Sequence, residues 1–251
     1  MITKARIKLI KSLDQRKHRN LQHLFIAEGP KLVGELLATM QPAYIAALPE
    51  WWKGNIKMVK QNCETDTITP EELQKTSLLR TPQQVIALFP IPQYNFDVEI
   101  AQQELCLALD GVQDPGNMGT ILRIADWFGI HNVVCSEDTV DVYNPKTVQA
   151  TMGALARVKV HYTNLTEMLS QCNTHIYGTL LDGKNIYEQE LDQYGFIVMG
   201  NEGNGLSQAI RSLVTQKLYI PNYPRGTQTT ESLNVAIATS IVCSEFRRRQ
   251  Q

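Results

Sequence analysis

The sequence predicts an α/β protein: a parallel-sheet domain in the C-terminal part, preceded by a smaller α/β domain. Three observations carry this. Residues 105–109, Leu-Cys-Leu-Ala-Leu, are a short apolar run of the kind a strand shows when both its faces are covered. After a polar turn over 110–119, apolar residues recur at Met118, Ile121, Leu122, Ala125 and Phe128, the spacing of a helix packed back on a sheet. The same sequence of apolar strand, Gly-rich turn and helix returns from Phe196 to Ser207. Open α/β sheets place ligands at such strand ends.

Composition bounds the function classes. With 251 residues, 43% hydrophobic and 20% charged, the chain has the make-up of a globular protein of one large or two modest domains. No apolar run approaches the roughly 20 residues of a membrane helix, and no apolar segment follows the basic N-terminus as in a secretory signal. Cys63, Cys106, Cys135, Cys172 and Cys243 lack paired ligand spacing, so neither a metal site nor a disulfide framework is expected, and a cytoplasmic location is. Net charge is −1, but residues 1–27 carry Lys4, Arg6, Lys8, Lys11, Arg16, Lys17 and Arg19 against Asp14 alone. Ile7, Ile10 and Leu13 could form an apolar stripe beneath them. Such a run is either a solvated helix face or a phosphate-contacting surface, for which Lys11, Arg16, Lys17 and Arg19 are the candidates.

The elements follow in order. Residues 24–29, Leu-Phe-Ile-Ala-Glu-Gly, read as a short strand leading to a turn, and a helix follows over 30–40, with Leu32, Val33, Leu36 and Leu37 buried. Further strands are expected at 44–48, 56–59 and 85–89, and Thr69 caps a helix over 70–79. Pro90 and Pro92 mark a linker, so the domains are set at 1–97 and 98–251. Beyond the opening unit come a strand at 132–135, a helix over 146–156 and a strand over 176–181. Asn117 sits at a helix start, a capping position, while Arg123 lies within an otherwise apolar helix. In the turn after Gly200, Glu202 is informative: a loop built to cradle phosphate would avoid a carboxylate, whereas one holding a cation need not. The last helix begins near Ser232, a candidate cap, and buries Leu233, Ala236, Ile237 and Ile241.

Three stretches carry a resemblance. QDPGNMGTILRIADWFGI, with Asn117, Gly119, Arg123, Ala125 and Phe128-Gly129, resembles the first motif of the SpoU (TrmH-like) family of RNA ribose 2′-O-methyltransferases, in the SPOUT superfamily. Gly200-Asn201-Glu202-Gly203 through Leu206 resembles the second, and Ile220-Pro221 followed by Ser232-Leu233-Asn234-Val235 the third. All three occur in order within 105–246. The basic N-terminus followed by Phe25 and Glu28-Gly29 resembles the small RNA-binding domain that many SpoU enzymes carry. Two departures stand out: Thr151 replaces a common serine, and the loop between Pro221 and Ser232, with Arg225, Thr227, Thr229 and Thr230, is longer than in most relatives.

The resemblance implies a deep trefoil knot in the parallel-sheet domain, a homodimer with the active corners at its interface, and S-adenosylmethionine as methyl donor. The acceptor would be a ribose 2′-hydroxyl of RNA, with ribosomal RNA favoured and transfer RNA the alternative. Arg123 would act on the hydroxyl, with Asn117, Glu202, Ser232 and Asn234 orienting it and the ribose. Gly200, Ile220, Leu233, Thr179 and Leu180 would contact the cofactor. Rival classes fit less well. The span from Gly111 to Gly119 is not a dinucleotide fingerprint, and Gly183-Lys184-Asn185 is not a phosphate-binding loop. A non-catalytic RNA-binding or ribosome-assembly factor on the same fold is the remaining rival, and cofactor binding discriminates it.

Overall fold

The computed structural model describes residues 2–60, 62–224, 227, 230 and 232–249. The chain forms two compact units: 1–93 together with 141–157, and 94–140 together with 158–251. The sequence places one boundary at 97/98. The structure also returns the chain to the first unit between residues 141 and 157, an excursion that composition does not mark.

The first unit begins with helices α1 (Lys4–Ser12) and α2 (Arg16–Gln22), strand β1 (Leu24–Glu28) and helix α3 (Pro30–Leu37). Strand β2 (Tyr44–Ala47), helix α4 (Pro49–Asn55), strand β3 (Glu64–Thr67), helix α5 (Pro70–Thr76) and strand β4 (Val85–Pro90) follow. The sheet order is β1-β4-β2-β3, antiparallel except for β2 and β3. Ile10 and Leu13, from the stripe under the basic residues, are fully buried with Ile26, Tyr44, Leu73, Ile86 and Leu88. Burying one such side chain contributes about 1.5–3 kcal/mol. Thr69 caps α5 through a reciprocal capping box with Glu72. The strand expected at 56–59 is a single helical turn at Ile56–Met58, and the strand lies instead at Glu64–Thr67. The reason is that β3 pairs on one side only, with β2, and is mostly exposed, so it has no apolar run to betray it.

Lys11, Arg16 and Lys17 are exposed, as a phosphate surface requires. Arg19 corrects the reading. It is 1% exposed, with Nη1 donating to the carbonyls of Leu13 and Asp14 and Nη2 pairing with Asp141 at 2.6 Å. It is thus a buried structural pair rather than a phosphate contact. Asp141 opens the 141–157 excursion, and Phe25 of β1 packs against Tyr143 with ring centroids 5.0 Å apart.

The second unit opens with strand β5 (Leu105–Asp110), helix α6 (Pro115–Trp127) and strand β6 (Asn132–Cys135). The excursion then contributes helix α7 (Pro145–Ala150) to the first unit. That helix stops short of the expected 156 because Met152 and Gly153 both take positive φ. The second unit resumes with strand β7 (Lys159–Tyr162), helix α8 (Leu165–Ser170), strands β8 (Ile176–Asn185) and β9 (Gly195–Gly200), helix α9 (Gln208–Leu213), strand β10 (Gln216–Tyr219) and helix α10 (Val235–Arg248). All neighbours in its six-stranded sheet, β10-β8-β9-β5-β6-β7, are parallel. Central β5 and β9 are buried along nearly their whole length, which explains their continuous apolar runs. Because β5 lies between β9 and β6, the turns after β5 and β9 sit side by side at the carboxyl edge of the sheet.

Candidate active site

Helix α6 starts differently from the expectation. Asp114 is its cap, the side chain accepting the Asn117 amide at 2.7 Å, and Pro115 follows at the first helical position. Asn117 is therefore inside the first turn, with its side chain free for other partners. Its Nδ2 donates to Glu202 Oε1 at 3.0 Å, and its Oδ1 accepts Asn234 Nδ2 at 2.9 Å. Asn234, not Ser232, caps α10, its Oδ1 accepting the amides of Ala236 and Ile237. One side chain from each of the three motifs thus joins a single hydrogen-bonded chain.

Glu202 is the acceptor at its end. The amides of Gln113 and Asp114 also point at its carboxylate, each at 3.3 Å. Partial burial alone would push its carboxyl up. The hydrogen bonds from Asn117 and the backbone outweigh it and hold the group below its ordinary range, so it is an anion at neutral pH. The turn carrying it is built by residues that the sequence did not single out as functional. Asn201 donates to the Gly111 carbonyl at 2.7 Å and accepts the amides of Gly203 and Asn204, while Asp110 takes the Ser207 amide at 2.7 Å. Asn201 bridges to Gly205, so the turn folds back on β9. A Cβ at Gly200 would collide with the backbone of Gly205 and Leu206.

Beside this chain lies a cavity of about 500 Å³. Thr179, Leu180, Gly200, Ile220 and Leu233, the five expected cofactor contacts, all line it, as do Glu202 and Ser232. A bulge brings Thr179 and Leu180 there. Gly178 pairs with Lys217 but Lys184 with Leu218, so the intervening residues of β8 leave the ladder. Gly178 itself is packed under Val214. Leu233, expected on the buried face of the last helix, is 48% exposed, and Ile237 is 54% exposed. Asp182 and Arg211 also line the cavity, paired at 2.5 Å, and Lys217 reaches Asp182 at 3.0 Å. Their isolated positions outside any motif gave no sequence signal. Asp182 is thus matched by two cations, which leaves Glu202 as the lining carboxylate without an ion pair among the described residues.

Arg123 is not brought into this cluster. It is exposed on α6, makes no hydrogen bond or ion pair among the described residues, and does not line the cavity. It lies six positions after Asn117, which turns it about 120° around the helix axis. Trp127, one turn further on the same face as Arg123, is 85% exposed. Arg225 and Thr229 of the long loop lie outside the described residues. No group of residues that could hold a metal ion occurs among the described residues.

The chain resembles known proteins over most of its length. Residues 104–244 match the SpoU rRNA Methylase family, and residues 4–87 match the MRM3-like substrate binding domain. The 23S rRNA (guanosine(2553)-2′-O)-methyltransferase RlmP of Bacillus subtilis is 29% identical over 96% of this chain and 96% of its own length. The 23S rRNA (guanosine-2′-O-)-methyltransferase RlmB of Neisseria meningitidis is 33% identical over 60% of this chain and 61% of its own. Among solved structures, a TrmH-family protein from Porphyromonas gingivalis superimposes with a TM-score of 0.89 at 39% identity, covering 99% of both chains. An rRNA methyltransferase from Sinorhizobium meliloti, solved with S-adenosylmethionine bound, gives 0.86 at 27% identity over 100% of this chain and 97% of its own. With three motif side chains joined in one chain beside a cavity and a family match over more than half of its length, this protein is a member of the SpoU rRNA methylase family.

Proposed function

We propose that the protein transfers the methyl group of S-adenosylmethionine to a ribose 2′-hydroxyl of RNA, with ribosomal RNA as the substrate class. The observation that carries the reading is the hydrogen-bonded chain Asn234–Asn117–Glu202 at the rim of the cavity. The fit to the cofactor rests on the lining. Leu180, Ile220, Leu233, Val235 and Ala238 offer apolar walls for an adenine and a thioether-like chain, and Glu202, the lining carboxylate without an ion pair among the described residues, offers negative charge. When bound, the cofactor supplies a methyl group activated by a positively charged sulfonium. The names of RlmP and RlmB support ribosomal over transfer RNA.

The chain's own residues divide the work. Glu202, kept ionised by its hydrogen bonds, complements positive charge and anchors Asn117. Asn117 and Asn234 orient one another, and Ser232 presents a hydroxyl at the rim. A guanidinium is a poor base, so the hydroxyl proton leaves to water while Arg123 holds an RNA phosphate and stabilises the developing alkoxide. Because Arg123 does not line its own cavity, a second copy is what would bring an arginine to each site. The exposed Trp127 and Ile237 support a homodimer through the faces of α6 and α10.

In this reading residues 1–97 hold RNA, with Lys11, Arg16 and Lys17 on phosphates, and residues 98–251 carry out the transfer on a C-terminal trefoil knot. The five free cysteines support a reducing cytoplasm, and no helix among the described residues is long and apolar enough to cross a membrane. Mapping ribose methylation in RNA from cells with and without the gene tests the assignment. A lost 2′-O-methyl mark in ribosomal RNA supports it, whereas a mark lost only from transfer RNA, or found on a base, overturns the substrate or the acceptor.

A further inference from the structure

The first unit contains a second cavity, of about 390 Å³, that the methyl-transfer reading leaves unused. Its walls are Pro30, Pro70 and Pro82 with Leu48 and Leu73, and its polar groups are the amides of Gln74, Gln83 and Gln84. No charged side chain lines it. None of the three glutamine side chains makes a hydrogen bond among the described residues, so three donor–acceptor pairs are uncommitted.

The surrounding backbone is held firmly. Glu28, 4% exposed at the end of β1, accepts the Ser77 hydroxyl and the Leu78 amide, fixing the start of the 77–84 loop. The loop ends at Gln84, which takes φ +47, a strained value for a residue with a side chain. Its carbonyl accepts the Leu48 amide, and the Gly29 amide donates to Val85, so the strain is enforced from both sides. Gly29, at φ +95, turns the chain into α3 directly beside Gln83. Strained backbone that is locked in place around an open polar cavity marks a preorganised site.

We propose that this cavity binds an unpaired nucleobase of the RNA substrate, an inference that rests on the RNA-methyltransferase reading above. The chemistry selects the class. A phosphate would require a cation or a cluster of free amides, and none lines the cavity. A base has apolar faces that suit proline and leucine walls and a donor–acceptor edge that suits primary amides. The cavity falls within the range of about 300–1,000 Å³ typical of small-ligand pockets. The match of residues 4–87 to a substrate-binding domain places the cavity in the part of the chain with that role.

The test uses the full-length protein and short single-stranded oligoribonucleotides of A, C, G and U, with an abasic strand of equal length, read by fluorescence anisotropy across a salt series. The Gln74→Ala/Gln83→Ala double variant changes two exposed side chains and leaves the backbone intact. It should bind the base-containing strands about tenfold more weakly, through loss of two hydrogen bonds. Its affinity for the abasic strand and its salt slope should be unchanged, because no phosphate contact is removed. Gln83→Glu, which keeps size but loses a donor, should alter the ranking among the four bases. Unchanged affinity in both variants, or equal loss on the abasic strand, overturns the proposal. Calorimetry with S-adenosylmethionine separates the two readings: its failure to bind wild-type protein counts against methyl transfer, not against the cavity.

Discussion

Asn117 and Asn234, 117 residues apart, meet amide to amide at 2.9 Å, and the further bonds each makes fix the orientation of both. Asn234 spends its oxygen on the α10 cap, so only its nitrogen can face Asn117. Asn117 must then present its oxygen to Asn234 and its nitrogen to Glu202. The polarity runs one way, from the α10 amides to the carboxylate, and a change of either amide to an acid removes a donor and breaks the chain at that point.

Asn117→Asp should accordingly be worse than Asn117→Ala. The acid sets a second carboxylate against Glu202, and like charges this close raise one of the two pKa values. Losing a hydrogen bond to a charged group costs about 1.5–3 kcal/mol, or roughly 10–100-fold in single-turnover rate for the alanine variant. The aspartate variant should fall further and recover partly as pH drops and the pair shares a proton. A pH–rate profile parallel to wild type would refute this.

Glu202 itself makes a pH prediction. Its folded pKa lies below its ordinary value of 4.5, so the protein gains stability that is fully present above that value. That stability is lost as pH falls through the depressed folded value. Denaturant midpoints of wild type and Glu202→Gln should therefore differ at neutral pH and converge under acid. A constant difference across the acid range would show that the carboxylate is not the stabilising group.

Arg123 should govern turnover rather than cofactor affinity. Arg123→Ala should lower the single-turnover rate about 10²–10³-fold, as expected for a lost stabiliser of a developing oxyanion. Arg123→Lys should rescue poorly, because it keeps the charge and loses the planar fork. Calorimetry should give cofactor affinities close to wild type for both variants; near-normal turnover in Arg123→Ala would remove the residue from the mechanism.

The basic residues near the N-terminus should separate into two groups. Neutralising Lys11, Arg16 and Lys17 should weaken RNA binding and flatten its salt dependence, with cofactor affinity unchanged. Arg19→Ala should instead unfold the first unit more easily, because it takes the Arg19 donors from Asp141 Oδ2 and from two backbone carbonyls. Removing one partner of a buried pair costs about 3–5 kcal/mol. Urea denaturation reads the second effect, and a stability equal to wild type would return Arg19 to the phosphate surface.

Trp127→Glu should abolish the homodimer proposed above. A large apolar side chain that is 85% exposed beside Arg123 gains from a covering partner, and a carboxylate there opposes one. Sedimentation should give dimers for wild type and monomers for the variant, with turnover lost and the fold retained by circular dichroism. An active monomer would sink both the dimer and the role it gives Arg123.

Local sequence determined the elements that carry the site. The apolar runs of β5 and β9 and the helical spacing of α6 are visible because each is set by one face or two faces of a single element meeting the core. The acid in the turn after β9 and the asparagine near the start of α6 were visible as residue types. Only the tertiary structure decided what they do. Asp114 takes the cap and frees Asn117 for Glu202; Asn234 takes the cap that Ser232 was expected to supply. Asp141, 122 residues from Arg19 in sequence, turns a surface cation into a buried one. A register break in β8 aims Thr179 and Leu180 at the cavity. Periodicity reports that a side chain is covered, not by what; the partner is chosen by the order of the strands, β10-β8-β9-β5-β6-β7, which brings the turns after β5 and β9 together and is not written in any one segment.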